Sequence, residues 1–110
     1  MTDASRLYIV VRADLRMGRG KEIAQAIHAF RFMEPVAAGQ LRPSSPIICV
    51  RAADEAALRE IIAEAVRRAD FVSTVHDAGL THNEPGTLTC VAIGPLSGES
   101  GSLLAAAKLY

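Results

Sequence analysis

Lys21, Gln25 and His28 recur at spacings of four and three, so a helix through them would stack an ammonium, an amide and an imidazole on one face. Gly18-Arg19-Gly20-Lys21 opens onto the start of that helix, where free backbone N–H groups and the dipole favour an anion and Arg16, Arg19 and Lys21 add positive charge. The loop is neither Gly-x-x-x-x-Gly-Lys-Ser/Thr nor Gly-x-Gly-x-x-Gly, so a glycine-bearing turn with solvated arginines accounts for it equally well. A second polar set lies far along the chain. Between two apolar runs, the segment from Asp77 to Thr89 carries a carboxylate, Gly79, Gly86, Pro85 and the threonines Thr81, Thr87 and Thr89, more polar punctuation than a simple turn requires. Asp77 could equally cap the turn through its own backbone, and threonines are ordinary at strand edges. His28 alone reads as readily as a helix histidine with a structural partner. The residues by themselves reach an anion-binding crevice with one carboxylate.

The elements that must bring these sets together are legible in the apolar pattern. Leu7 to Val11 is a continuous β-branched run, the pattern of a strand covered on both faces and so of a parallel sheet flanked by helices. A helical pattern runs from Lys21 to about Met33, where Pro35 is expected to stop it, with Ile23, Ala24, Ile27, Ala29 and Phe30 supplying its apolar surface. The prolines between Glu34 and Pro46 mark a connector, with one short turn around Val36-Ala37-Ala38. Ile47 to Val50 reads as a second buried strand, and Asp54 caps a helix through about Arg68 whose stripe is Leu58, Ile61, Ile62, Ala65 and Val66. Phe71 to Val75 and Leu88 to Ile93 read as two further strands joined without a helix and therefore antiparallel, whereas the helical crossovers before them imply parallel pairs. Gly94-Pro95 is expected to end the last strand, and a short helix over Leu103 to Leu109 to cover one face. The expected fold is α/β: one three-layer domain with a four-stranded mixed sheet flanked by helices, in the order β-α-β-α-β-β-α. If the first and third strands are parallel, their C-terminal ends share one rim, and the glycine loop and the Asp77 segment flank one crevice there.

At 110 residues the chain is sized for one domain and one core. Twelve Lys plus Arg against twelve Asp plus Glu give no long-range attraction for nucleic acid or an acidic membrane, so any basic site must be local. The apolar runs are too short to span a membrane, and Met1 to Arg6 lacks the layout of a secretory signal, which implies a cytoplasmic setting. Cys49 and Cys90 each sit inside an apolar run, with neither metal-ligand spacing nor a disulfide framework.

Val11-Arg12-Ala13-Asp14-Leu15-Arg16-Met17-Gly18-Arg19-Gly20-Lys21, continuing through Ala24-Gln25 and His28-Ala29, together with Asp77-Ala78-Gly79, Thr81, Pro85-Gly86-Thr87, Thr89 and Ile93-Gly94-Pro95, resembles the type 2 peptidyl-tRNA hydrolase family of archaea and eukaryotes. Two ordered, separated motifs spanning nearly the whole chain carry the resemblance. It implies a compact α/β domain, often a homodimer, that hydrolyses the ester between a peptide and tRNA without a metal or other cofactor. Carried over, the family's catalytic positions fall on Lys21, Gln25, Asp77, Thr81 and Thr89, with Arg16, Gly18, Arg19, Gly20, His28, Gly86 and Thr87 on the substrate side. Asp77 would orient or deprotonate the attacking water, and Lys21 and the threonines would stabilise the oxyanion or hold a tRNA phosphate. A basic patch of Arg12, Arg16, Arg19, Lys21 and Arg31 would meet the tRNA. Ile27 stands where the family usually has a serine and Leu80 where it usually has a basic residue, so both are expected to remove polar groups from the crevice. The alternative function is a non-catalytic binding module of the same fold that holds a phosphate-bearing small molecule or a partner.

Overall fold

The computed structural model describes residues 6–36, 45–68, 71–79, 83–96 and 107–109. Its elements in chain order are β1 (Arg6–Arg12), α1 (Arg19–Val36), β2 (Ile47–Ala52), α2 (Glu55–Arg67), β3 (Val72–His76), β4 (Leu88–Leu96) and β5 (Ala107–Leu109). The strands form one mixed sheet in the order β3-β4-β1-β2-β5. β1 and β2 are parallel, Leu7 opposite Ile47, while β4 runs antiparallel to both β1 and β3. β1 and β3 therefore point the same way, and Arg12, His76 and Leu88 meet at one rim, the placement the connectivity implied.

Two apolar layers enclose the sheet. Tyr8, Val10, Val50, Val91 and Ile93 pack under Leu58, Ile61 and Ala65 of α2. On the opposite face Leu7, Ile9, Val11, Val75, Cys90 and Ala92 pack under Ala29 and Met33 of α1. α2 begins where Asp54 accepts a hydrogen bond from the Ala57 N–H at 2.8 Å. Its solvent face carries the Glu55–Arg59 pair at 2.7 Å and a Glu64–Arg67 pair.

Four sequence expectations change. The last described segment, Ala107–Leu109, is a strand paired antiparallel with β2, where a helix was expected; the sheet edge at β2 offers unpaired backbone groups, and pairing them outweighs the helix propensity of an alanine-rich run. β4 continues through Gly94-Pro95 to Leu96: a register shift between Arg6 and Tyr8, with Gly94 at φ 129° donating to Phe71 O at 3.0 Å, absorbs the proline in a bulge instead of ending the strand. α1 runs through Pro35, which this close to a helix end removes a single backbone bond. Finally, β2 is not covered on both faces. α1 lies over β3, β4 and β1, so Ile47, Cys49 and Arg51 are exposed on its side of the sheet. The turn expected at Val36-Ala37-Ala38 falls mostly outside the described residues.

α1 itself packs through a different row than its large apolar residues suggest. Gln25, Ala29 and Met33, spaced by four, are its buried positions, whereas Ile23 and Ile27 are 55% and 54% exposed. Apolar side chains occupy both flanks of this helix, so apolar spacing alone does not select the buried row. No helix among the described residues is long and apolar enough to cross a membrane.

Candidate active site

The polar row of α1 faces the rim segment. Lys21, in the first turn, extends its Nζ to 2.8 Å from Asp77 Oδ2. An ammonium at a helix N-terminus works against the dipole, and the carboxylate opposite offsets that cost. Asp77 follows the last residue of β3 and is only 7% exposed. Its Oδ2 also accepts from Asn83 Nδ2 at 2.8 Å, and its Oδ1 from the Gly79 N–H at 3.1 Å. These donors, Lys21 foremost, hold the Asp77 carboxyl well below its ordinary value of 3.8, down to about 2. One side chain thus both caps its own turn and pairs with Lys21. A carboxylate has about four acceptor positions, so one remains after these three donors.

Backbone bonds fix the segment at its base. The Asp77 N–H donates to Thr87 O at 2.8 Å and the Gly86 N–H donates to Asp77 O at 2.7 Å, closing the loop between them. Gly79 is required twice over. Its φ is 82°, and a Cβ there would lie 2.5 Å from Pro85 Cγ and 2.8 Å from the Pro85 nitrogen. Gly18, at φ 85° before α1, needs its freedom for backbone conformation alone, and Arg16 holds a positive φ of 51° beside it.

Lys21, Gln25, His28, Phe32, Val75, His76 and Asp77, with Ala24 and Ala78, line one crevice of about 520 Å³. The Gln25 side chain sits there with the residue 6% exposed, and its amide has no hydrogen-bond partner among the described residues. Such a group costs about 1–3 kcal/mol unless water or a ligand satisfies it.

Several expected site residues lie elsewhere. Thr89 is fully buried and its hydroxyl donates to Val75 O at 3.2 Å. The register passes from Val75 opposite Cys90 to His76 opposite Leu88, so Thr89 is the extra residue of a bulge behind the crevice wall. Thr87 spends its hydroxyl on Glu84 O at 2.7 Å, and Gly86 is an exposed turn residue at φ 85°. Arg16, Gly18, Arg19 and Gly20 are exposed on the approach to α1, outside the crevice lining. Thr81 and Leu80 lie outside the described residues. Arg12, expected to join a basic patch with Arg16, Arg19, Lys21 and Arg31, is turned inward. It is 8% exposed, paired with Asp14 at 2.7 Å, and donates to Leu88 O at 3.1 Å, tying the end of β1 to the start of β4. Ile27 does not border the crevice either; two residues on from Gln25 it points about 200° away, toward Ile23, Phe30, Ile47 and Cys49.

His76 and Phe32 of the crevice, and Asn83 that holds Asp77 from beside it, were not singled out from the sequence. Phe32 was recoverable, because it continues the row of Lys21, Gln25 and His28 by a further four residues. Asn83 was not: no periodicity connects positions six apart in a loop.

The family model of the peptidyl-tRNA hydrolases PTH2 matches residues 5–101 of the chain. A peptidyl-tRNA hydrolase of Haloquadratum walsbyi is 41% identical over 97 residues, covering 84% of this chain and 87% of its own. One from Methanopyrus kandleri is 40% identical over 94 residues, covering 79% and 81%. A solved structure of an Agrobacterium protein of unknown function shares the fold with a TM-score of 0.62 at 20% identity, covering 100% of this chain and 99% of the other.

Proposed function

Because the chain belongs to the peptidyl-tRNA hydrolase PTH2 family, we propose that it hydrolyses the ester joining a peptidyl, or N-blocked aminoacyl, group to tRNA, as one domain acting in the cytoplasm. The observation that carries this reading is the Lys21–Asp77 pair, closed at 2.8 Å beside the unpartnered Gln25 amide in one crevice. In this reaction water adds to the ester carbon, the bond from carbon to the ribose oxygen breaks, and the proton the water loses ends on that oxygen.

With its carboxyl held near 2, Asp77 is ionised at neutral pH but a poor proton acceptor. Its role is to accept a hydrogen bond from the attacking water at its remaining acceptor position and to hold the Lys21 ammonium. Lys21 and the Gln25 amide supply positive charge and an N–H where the carbonyl oxygen becomes an oxyanion. Thr89 acts from behind, through Val75, as a positioning residue, and Thr81 remains a candidate on its resemblance alone. Nothing at the crevice favours the binding-module reading over this one.

The test is release of the acyl group from N-acetyl-aminoacyl-tRNA. Asp77→Asn should lower kcat by at least about 100-fold while the far-ultraviolet spectrum stays that of the wild type. Near-normal release would remove Asp77 from the mechanism, and a wild type with no release above background would remove the hydrolase. A homodimer belongs to the same proposal, supported by the exposed strip of Ile23, Ile27 and Ile47 across α1 and β2. Its mass in sedimentation, and the loss of the dimer in Ile27→Glu, check it.

A further inference from the structure

Past the Lys21–Asp77 pair the crevice changes character. His28 lies three residues beyond Gln25, a rise of about 4.5 Å, and Phe32 follows one turn later. Their rings stack, with centroids 6.1 Å apart and planes inclined by 22°. Phe32 is 53% exposed while lining the crevice, so its ring is open to a ligand there. Val75 forms part of the opposite wall, and among the described lining residues the Lys, Arg, Asp and Glu side chains are Lys21 and Asp77 alone, paired with each other on the far side of Gln25. This half of the crevice is therefore ill suited to a phosphate and well suited to a flat, uncharged ring.

We propose that the His28–Phe32 stack is the platform on which the 3′-terminal adenine of the tRNA rests while its ribose ester sits at Lys21, Gln25 and Asp77. The inference rests on the peptidyl-tRNA reading of the site and adds to it the part of the substrate that Phe32 meets. A base is preferred over the acyl side chain because the base is the same planar ring in every substrate, one ribose from the ester, whereas acyl groups differ in shape and many have no flat face. Stacking tolerates any base and needs no hydrogen-bond readout, which matches a platform made only of rings. His28 is held in place by Phe32, so the two act together.

Equilibrium binding of deacylated tRNA separates this inference from hydrolysis. Phe32→Ala should weaken Kd for tRNA with an intact 3′ adenosine by about tenfold, within the range expected for one base–aromatic contact. The same substitution should leave Kd unchanged for tRNA whose terminal nucleotide is abasic, and Phe32→Trp should restore wild-type binding to the intact tRNA. Since Phe32 is half exposed, the thermal midpoint of Phe32→Ala should match the wild type. Equal weakening for both tRNAs, or for neither, overturns the proposal. So does a penalty that arises only when the tRNA carries an acyl group, which would give the platform to the acyl side chain. Acyl release by the wild type is read separately, so failure of the hydrolase leaves the binding result interpretable.

Discussion

Asp77, the water-holding carboxylate of the proposed mechanism, also carries part of the loop's architecture, and its titration exposes the connection. Its folded carboxyl lies near 2 against an ordinary 3.8, so the native state favours the ionised form. A depressed carboxylate contributes stability that is fully present above about pH 4 and is lost as pH falls toward about 2. Urea unfolding of the wild type and of Asp77→Asn should therefore differ at pH 7, with the variant less stable, and converge near pH 2. The pH profile of kcat/KM should show no acid limb from Asp77 above about pH 3. A limb near pH 6 that disappears in Asp77→Asn would contradict the ion pair. The residues of this pair were legible in the chain: Lys21 and Gln25 from helical spacing, Asp77 from its place in an overloaded turn. Strand connectivity already placed the two sets on one rim across fifty-six positions; choosing Lys21 and Asp77 as the acting pair took the family resemblance, because spacing reports only neighbours on one element.

At the scale of the element, the rim segment explains its own composition. The clasp of Asp77 with Gly86 and Thr87 fixes the base of the loop, and the Pro85 ring lies where a side chain on residue 79 would stand. Gly79→Ala should cost at least about 2 kcal/mol, the left-handed backbone penalty plus the clash, and should lower kcat as well because the Gly79 N–H holds Asp77 Oδ1. Replacing Pro85 by alanine in that background should recover little, since the backbone nitrogen of residue 85 is itself too close; full recovery of the urea midpoint would show that the ring alone sets the conflict. The strands and α2 followed from β-branched runs and one clean stripe. α1 did not give up its buried face, because Ile23 and Ile27 advertise a row that the fold leaves exposed and Gln25 hides in the row that packs. The terminal strand was missed for a related reason: an edge of β2 open for pairing is a property of the assembled sheet and has no local signature.

At the scale of the whole molecule, a neutral chain must meet a polyanion through few charges. Arg12 is committed to Asp14 and Leu88 O, whereas Arg16 and Arg19, before and at the start of α1, are exposed, and on the proposed reading they would meet the tRNA phosphates. The salt dependence of tRNA binding should accordingly be shallow for this class of ligand. Arg16→Ala and Arg19→Ala should each flatten the slope of log Kd against log salt by about one, leaving kcat unchanged. An unchanged slope in both variants would move the phosphate track to another face. Net charge was legible from the sequence; which arginines are spent inside was not, because Arg12 and Arg16 differ only in what the fold places beside them.

The unpartnered amide of Gln25 has a consequence for how far the protein can be improved. A buried polar group with no partner among the described residues makes the ligand-free form less durable than the same fold with an apolar side chain there. Heat resistance and turnover should pull against each other at this position. Gln25→Met should raise the melting temperature by a few degrees while slowing ester release, and a library selected only for durability should discard the glutamine first. A melting temperature that stays put or falls in Gln25→Met would mean that water already satisfies the amide and that no such bargain exists.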